Sequence, residues 1–275
     1  MSGTLYIIGT PIGNLEDITL RQLRMLEEVD FIAAEDTRVT RKLLSHYNIK
    51  TPTVSFHEHS GAVGAQKIAA RLLEGESGGI VTDAGMPCIS DPGEPLIQLC
   101  YEMGIPVTVV PGPSAVITAL AVAGQPSAQF VFEGFLPVPK KERQQRLSRI
   151  RGETRTIILY EAPHKLVRTL TDLCEILGEG REISFCRELT KLHEEVYRTT
   201  LGEALRHYEV HAPRGEFVLV IAGAPEGEVQ ADAPTLEEAI ALAQRYTAEG
   251  LKKREACKKA AAETGQRSNE IYNNM

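Results

Sequence analysis

The chain has no tryptophan among its 275 residues, and only 5% of them are aromatic. No RNP-type aromatic pair is visible, so base stacking on an RRM-like sheet is not expected. No apolar run approaches the roughly 18 residues that a membrane-spanning helix needs. The N-terminus also lacks a charged segment followed by a signal-like apolar stretch. Positive charge is not in excess: 30 Lys and Arg face 37 Asp and Glu, a net −7 that argues against a uniformly basic nucleic-acid coat. The five cysteines, Cys88, Cys100, Cys174, Cys186 and Cys257, form no CxxC and no Cys/His cluster, so neither a metal site nor a disulfide framework is expected. Reduced thiols in a soluble, cytoplasmic protein are the simplest account.

What the chain does have is a repeated strand–loop–helix pattern with unusual loops. Short apolar, β-branched runs at 5–8, 31–34, 53–56, 79–81 and 107–110 alternate with helical spacings such as 19–28, 68–74 and 95–103. The most informative loop is Thr82-Asp83-Ala84-Gly85-Met86-Pro87-Cys88-Ile89-Ser90-Asp91-Pro92-Gly93, made of small residues, prolines and carboxylates. Two others follow strands in the same way, Gly9-Thr10-Pro11-Ile12-Gly13-Asn14 and Pro111-Gly112-Pro113-Ser114-Ala115. In open α/β sheets ligands bind beyond the carboxyl ends of strands, where small residues let them approach the backbone. The first loop resembles a phosphate loop but lacks the Lys-Ser/Thr ending and is not GxGxxG.

A second set of strands is expected at 130–133, 156–160, 182–186 and 217–221, with helices near 141–150 and 165–177. The expected architecture is α/β, with two side-by-side α/β domains, 1–114 and 115–223, and a cleft between them. The acidic, Pro/Gly-rich stretch 224–234 reads as a linker. Residues 235–275 then form a small helical module, with Thr235 as an N-cap and Leu236, Ile240 and Ala243 on one face. Seven Lys/Arg against two acids between Lys140 and Arg155, and a Lys/Arg-rich final thirty residues, confine any RNA-binding surface to local patches.

The segments LYIIGTPIGNLEDIT, AAEDTR, VTDAGMPCISDPG, VVPGPSA, FEGFLP, YEAPHKL and CRELTKLHEE run in order over residues 4–223. This pattern resembles the bacterial small-subunit ribosomal RNA (cytidine-2′-O)-methyltransferases, a branch of the tetrapyrrole methylase superfamily. The resemblance implies that fold, a homodimer, and a helix-turn-helix-like C-terminal tail. It also implies S-adenosylmethionine as methyl donor and a ribose 2′-hydroxyl of small-subunit rRNA, in the assembled subunit, as acceptor. Carried over by position, the donor contacts are Pro11, Asp83, Ala84, Gly85, Cys88, Ser114, Ala115, Glu161 and Leu189. The wider superfamily tends to show Gly-x-Gly-Pro-Gly-Asp in the first loop, whereas Asn14 stands here where those enzymes have the acid. That puts a tetrapyrrole substrate in doubt.

Asp83 is the candidate to face the donor's ammonium group, with a turn cap as its alternative role. His57 and Glu58, just after the third strand, are the candidate catalytic bases, against a solvated loop. Asp36 and Arg38 are candidates for substrate binding, although Arg38, Arg41 and Lys42 are helically spaced and also fit an exposed helix face. Arg187 and Lys191 are candidates for RNA backbone contacts, with an ion pair to Glu188 or Glu194 as the alternative.

Overall fold

The computed structural model describes residues 2–225 and 236–275. The expected cap Thr235, and the expected linker from residue 226 onward, lie outside the described residues. The chain forms two compact units, one of residues 1–148 and 155–222, the other of 149–154 and 223–275.

The first unit holds two five-stranded sheets. Strands β1 (Leu5–Ile8), β2 (Phe31–Ala34), β3 (Thr53–Ser55), β4 (Gly78–Val81) and β5 (Val107–Val110) build a fully parallel sheet in the order β3-β2-β4-β1-β5. Helices α1 (Leu20–Glu28), α2 (Thr37–His46), α3 (Gly61–Leu73) and α4 (Glu94–Glu102) connect them. A parallel sheet is covered on both faces, so its strands read as unbroken apolar runs. Along β2, Phe31 and Ala33 pack with Leu72 and Leu96, while Ile32 and Ala34 pack with Leu26 and Leu44 on the opposite face. Helix starts are fixed locally. Thr19 and Gln22 form a capping box at α1, and the Asp36 carboxylate accepts from the Arg38 amide at α2.

The second sheet comprises β6 (Phe130–Phe135), β7 (Thr156–Glu161), β8 (Glu182–Arg187), β9 (Glu195–Thr200) and β10 (Phe217–Ile221), ordered β6-β7-β10-β8-β9. Only β6 and β7 run parallel; the other neighbours are antiparallel. Helix α5 (Ala115–Ala123) packs on this sheet through Val116, Ala119, Leu120 and Ala123, so the core changes between residues 114 and 115. Phe185 points to the other face, against Tyr208 and Phe217. Helices α6 (Lys140–Ile150), α7 (Leu166–Leu177) and α8 (Leu201–Val210) complete the connections.

Strand β9 and helix α8 carry no apolar signal strong enough to be expected from sequence. Glu-Val-Tyr-Arg-Thr-Thr is an edge strand with only half a face to bury, so its composition is polar. Helix α3 begins seven residues before its expected start, because Gly61 and Gly64 weaken the local signal.

The second unit contains α9 (Leu236–Ala248), α10 (Lys253–Thr264) and α11 (Ser268–Asn274). Ala239, Ala243, Tyr246, Ala256, Cys257, Ala260 and Ile271 form its core. The Tyr246 hydroxyl donates to Glu263 at 2.6 Å, and the Lys259 ammonium sits 3.9 Å from the ring centroid. Among the described residues no helix is long and apolar enough to cross a membrane, and no cluster of three or more metal-ligating side chains occurs.

Candidate active site

Because all five strands of the first sheet are parallel, every loop that follows a strand lies at one edge. Three of these loops are joined directly. Thr10, after β1, and Gly85, after β4, exchange backbone hydrogen bonds of 2.9 and 3.1 Å. Gly9 and the post-β5 Gly112 touch backbone to backbone; a Cβ on Gly9 would lie 2.8 Å from the Gly112 Cα. The fully buried Gln22 locks this junction, donating to the Gly9 carbonyl at 2.5 Å and accepting from the Thr19 amide at 2.5 Å.

Together with residues of the second sheet, the joined loops enclose a cleft of about 570 Å³, within the usual size of a small-molecule site. One wall is acidic, with Glu35, Asp83 and Asp91 lining it. Thr82 donates to Glu35 at 2.7 Å, and the Asp36 amide donates to Asp83 at 3.2 Å. Burial pushes the Asp91 carboxyl up to about 6, with the Glu35 and Asp83 carboxylates adding to the shift and the hydrogen bond to Thr82 opposing it. Burial and the Glu35 carboxylate also raise Asp83. The facing wall is apolar and aromatic, with Phe135, Tyr160, Leu189 and Val218. The Tyr160 phenol is pushed up to about 12 by burial first and then by Asp91, and its oxygen accepts from the Val116 amide.

Seven of the nine expected donor contacts line this cleft: Asp83, Ala84, Gly85, Ser114, Ala115, Glu161 and Leu189. Pro11 and Cys88 do not, and Ile12 and Met86 stand on the lining instead. The Cys88 thiol is pushed up to about 11, by burial and then by the Asp91 and Glu94 carboxylates, which keeps it protonated. Glu161 is buried, and its carboxylate is already occupied. One oxygen accepts from the Ala162 amide at 2.8 Å and the other from the Thr169 hydroxyl, which is itself held by Arg143 at 2.8 Å. Its side chain is thus held within the wall of the cleft.

The remaining candidates lie elsewhere. His57 and Glu58 start a short 3₁₀ turn at the carboxyl end of edge strand β3, outside the cleft lining. The Ser60 hydroxyl holds that turn, accepting from the His57 amide at 3.0 Å. Asp36 and Arg38 pair with each other at 2.6 Å, and the Arg38 hydrogen bond holds the Asp36 carboxyl well below the usual carboxylate range. Arg187 pairs with Glu195 at 2.9 Å. Lys191 bridges Glu188 and Glu216 at 3.0 and 2.7 Å. The expected ion-pair alternative is thus realised with partly different acids, and Glu194 instead accepts from the Thr190 amide. Asn14 caps the 3₁₀ turn Leu15–Asp17 through the Glu16 amide and stays off the cleft lining.

Asp91 was not singled out by the sequence reading, although it sits in the loop that drew attention first. It follows two residues held in unusual backbone, Cys88 and Ser90, with φ of +70° and +64°. Non-glycine residues in that region cluster at ligand sites.

The family model for tetrapyrrole (corrin/porphyrin) methylases matches residues 4–205. The chain belongs to that family. Among curated members, it is 45% identical over 98% of its length to a Synechocystis protein named ribosomal RNA small subunit methyltransferase I, of which 96% is covered. A Thermotoga maritima protein of the same name is 49% identical over 221 residues, 80% of this chain and 99% of that protein. In structure, this tetrapyrrole methylase is similar to uroporphyrin-III C-methyltransferase from Thermus thermophilus, solved with S-adenyl homocysteine. The TM-score is 0.56 at 18% identity, covering 82% of this chain and 98% of that one.

Proposed function

We propose that the protein transfers a methyl group from S-adenosylmethionine to the ribose 2′-hydroxyl of a cytidine in small-subunit rRNA. The observation that carries the reading is one acidic-walled cleft, closed by three joined loops, in a chain whose relatives are named rRNA methyltransferases. The residues fit the donor: carboxylates suit its sulfonium and ammonium charges, Ala84, Gly85 and Ala115 admit close backbone approach, and Tyr160 and Leu189 offer apolar surface. When bound, S-adenosylmethionine supplies an electrophilic methyl on a positively charged sulfur.

The protein's own residues do the rest. Asp83 faces the ammonium group, and the backbones of Ala84, Gly85, Ser114 and Ala115 orient the donor, with Glu161 and Leu189 on the opposite wall. Holding the 2′-oxygen in line with the methyl–sulfur bond supplies most of the acceleration. As the O–C bond forms, the C–S bond breaks with its electrons staying on sulfur, and the hydroxyl proton passes to a base. Asp91 is favoured as that base over His57 and Glu58, because it lines the cleft and they do not. Asp36 and Arg38 at the rim, Arg187 at the end of β8 and Lys191 in the loop after it serve the RNA once their ion pairs open.

The acceptor is read in the assembled small subunit, in the cytoplasm, and the enzyme acts as a homodimer. Asn14 argues against a tetrapyrrole acceptor, since it is spent on a local cap.

The test is transfer of radiolabelled methyl to small subunits from a strain lacking the mark, followed by nuclease mapping. Label in an alkali-resistant, 2′-O-methylated cytidine dinucleotide supports the proposal. Donor binding without label on subunits or free rRNA would sink it. Asp91→Asn, His57→Ala and Glu58→Gln variants then decide the base.

A further inference from the structure

Away from the cleft, helix α2 and the loop to β3 border an open groove of about 990 Å³ whose charged lining is entirely cationic. Arg38, Arg41, Lys42 and Lys50 line it, and no carboxylate does. In a chain of net charge −7 such a surface runs against the average. Arg38 is spent on Asp36. Arg41 touches only the Thr37 hydroxyl at 2.9 Å, and among the described residues neither it nor Lys42 nor Lys50 is in an ion pair. Their charge is therefore available.

We infer that this groove binds the phosphate backbone of the substrate RNA beside the nucleotide that enters the cleft, an inference that rests on the proposed rRNA reaction. The placement argues for it. Asp36, the N-cap of α2, has its amide bonded to the cleft residue Asp83, so the Arg38 end of the groove adjoins the cleft rim, and the groove runs from there along α2 toward the opposite edge of the sheet at Lys50. Glu35, Asp83 and Asp91 make the cleft wall repulsive to phosphate, so a nucleoside that enters must leave its flanking phosphates outside. Helix α2, ten residues and about 15 Å long, carries unpaired cations away from that rim. Flexible lysines and a non-pairing arginine suit sequence-independent contacts that set register without reading bases.

The experiment compares the full-length parent with an Arg41→Gln/Lys42→Gln/Lys50→Gln variant, and with a Lys67→Gln/Arg206→Gln control for loss of charge. Donor affinity, methyl transfer to small subunits, and binding to protein-free small-subunit rRNA at several salt concentrations are measured. The triple variant should bind donor like the parent and keep kcat, raise KM for subunits roughly 10- to 100-fold, and lower the salt slope of RNA binding by about 2 to 3. The control should leave that slope unchanged. Parent-like KM and slope in the triple variant would overturn the inference while leaving the function standing. So would parent-like binding to free rRNA with weakened binding to subunits, which would make the groove a dock for ribosomal protein. If no protein transfers methyl but the slope still falls, the reaction fails and the groove holds.

Discussion

Thr10 and Gly85 lie on loops after neighbouring parallel strands, and their paired backbone hydrogen bonds turn two loops into one surface. The Thr10 hydroxyl adds a bond to the Thr82 carbonyl at 3.2 Å, so the strand end that precedes the cleft is held from both sides. Thr10→Val keeps the shape and removes the hydroxyl. It should cost about 1 kcal/mol, or roughly 2–4 °C in Tm, and weaken donor binding more than it slows transfer at saturating donor. Calorimetry of donor binding beside thermal unfolding checks this.

Gly9 tests the third loop. A methyl group there would meet the Gly112 Cα and the Met86 sulfur, each at 2.8 Å, and a backbone neighbour cannot swing aside. Gly9→Ala should destabilise by roughly 1–3 kcal/mol and reduce donor affinity at least tenfold, because pushing the post-β5 loop away moves Ser114 and Ala115. Urea unfolding and donor titration are the measurements. Unchanged donor affinity would mean that the loops act separately.

Asp91 ties stability to chemistry. Its folded value of about 6, raised mainly by burial, lies above the ordinary aspartate value, so the folded state binds the extra proton between pH 4 and 6. Stability therefore falls as pH rises through that window, and the penalty is fully present at neutral pH. Asp91→Asn should raise Tm at pH 7.5, with the gain shrinking toward pH 4, and should abolish the acid limb expected in the parent's kcat near pH 6. A variant that is more stable but slow is the signature of a group held in an unfavourable state for catalysis.

Much of this was legible in sequence for a physical reason. Buried parallel strands such as Phe31–Ala34 must be apolar throughout, and a loop approached by a ligand must be small and stiff, so composition reports both. Edge strand β9 and helix α8 bury too little to leave such a mark. Within the site, Glu161 is named as a donor contact through the resemblance alone, and its sequence neighbourhood does not show what its side chain bonds to. Its partner Thr169, and the Arg143 that holds Thr169, come from α7 and α6, and nothing local announces them. His57 and Glu58 sit at the correct sheet edge, but β3 is the outermost strand, and strand order cannot be read from one segment.

That buried network gives its own prediction. Thr169→Val removes the hydroxyl that links Glu161 to Arg143, leaving a carboxylate oxygen and a guanidinium nitrogen without their partner in the interior. The expected loss is roughly 1–3 kcal/mol in urea unfolding, since a stranded buried polar group costs its desolvation. Arg143 keeps its 2.6 Å bond to Asp172, so the helices should stay docked and donor affinity should change little.

Removing residues 223–275 separates what the two units contribute. Both five-stranded sheets, the joined loops and every residue lining the cleft lie before residue 223, so the deletion takes no ladder bond and no cleft side chain. It does remove the Ala224 amide that donates to the Glu153 carbonyl at 2.7 Å in the 149–154 turn. The T. maritima relative, 99% of which is matched by 221 residues, is about the length that such a deletion leaves. The shortened protein should unfold cooperatively and bind donor within about threefold of the full chain, a ratio of less than 1 kcal/mol. If KM for small subunits rises while donor affinity holds, the basic helix α10 of the second unit serves the RNA. If donor binding fails in a protein that remains folded, the cleft depends on the second unit, and the loops alone do not make the site.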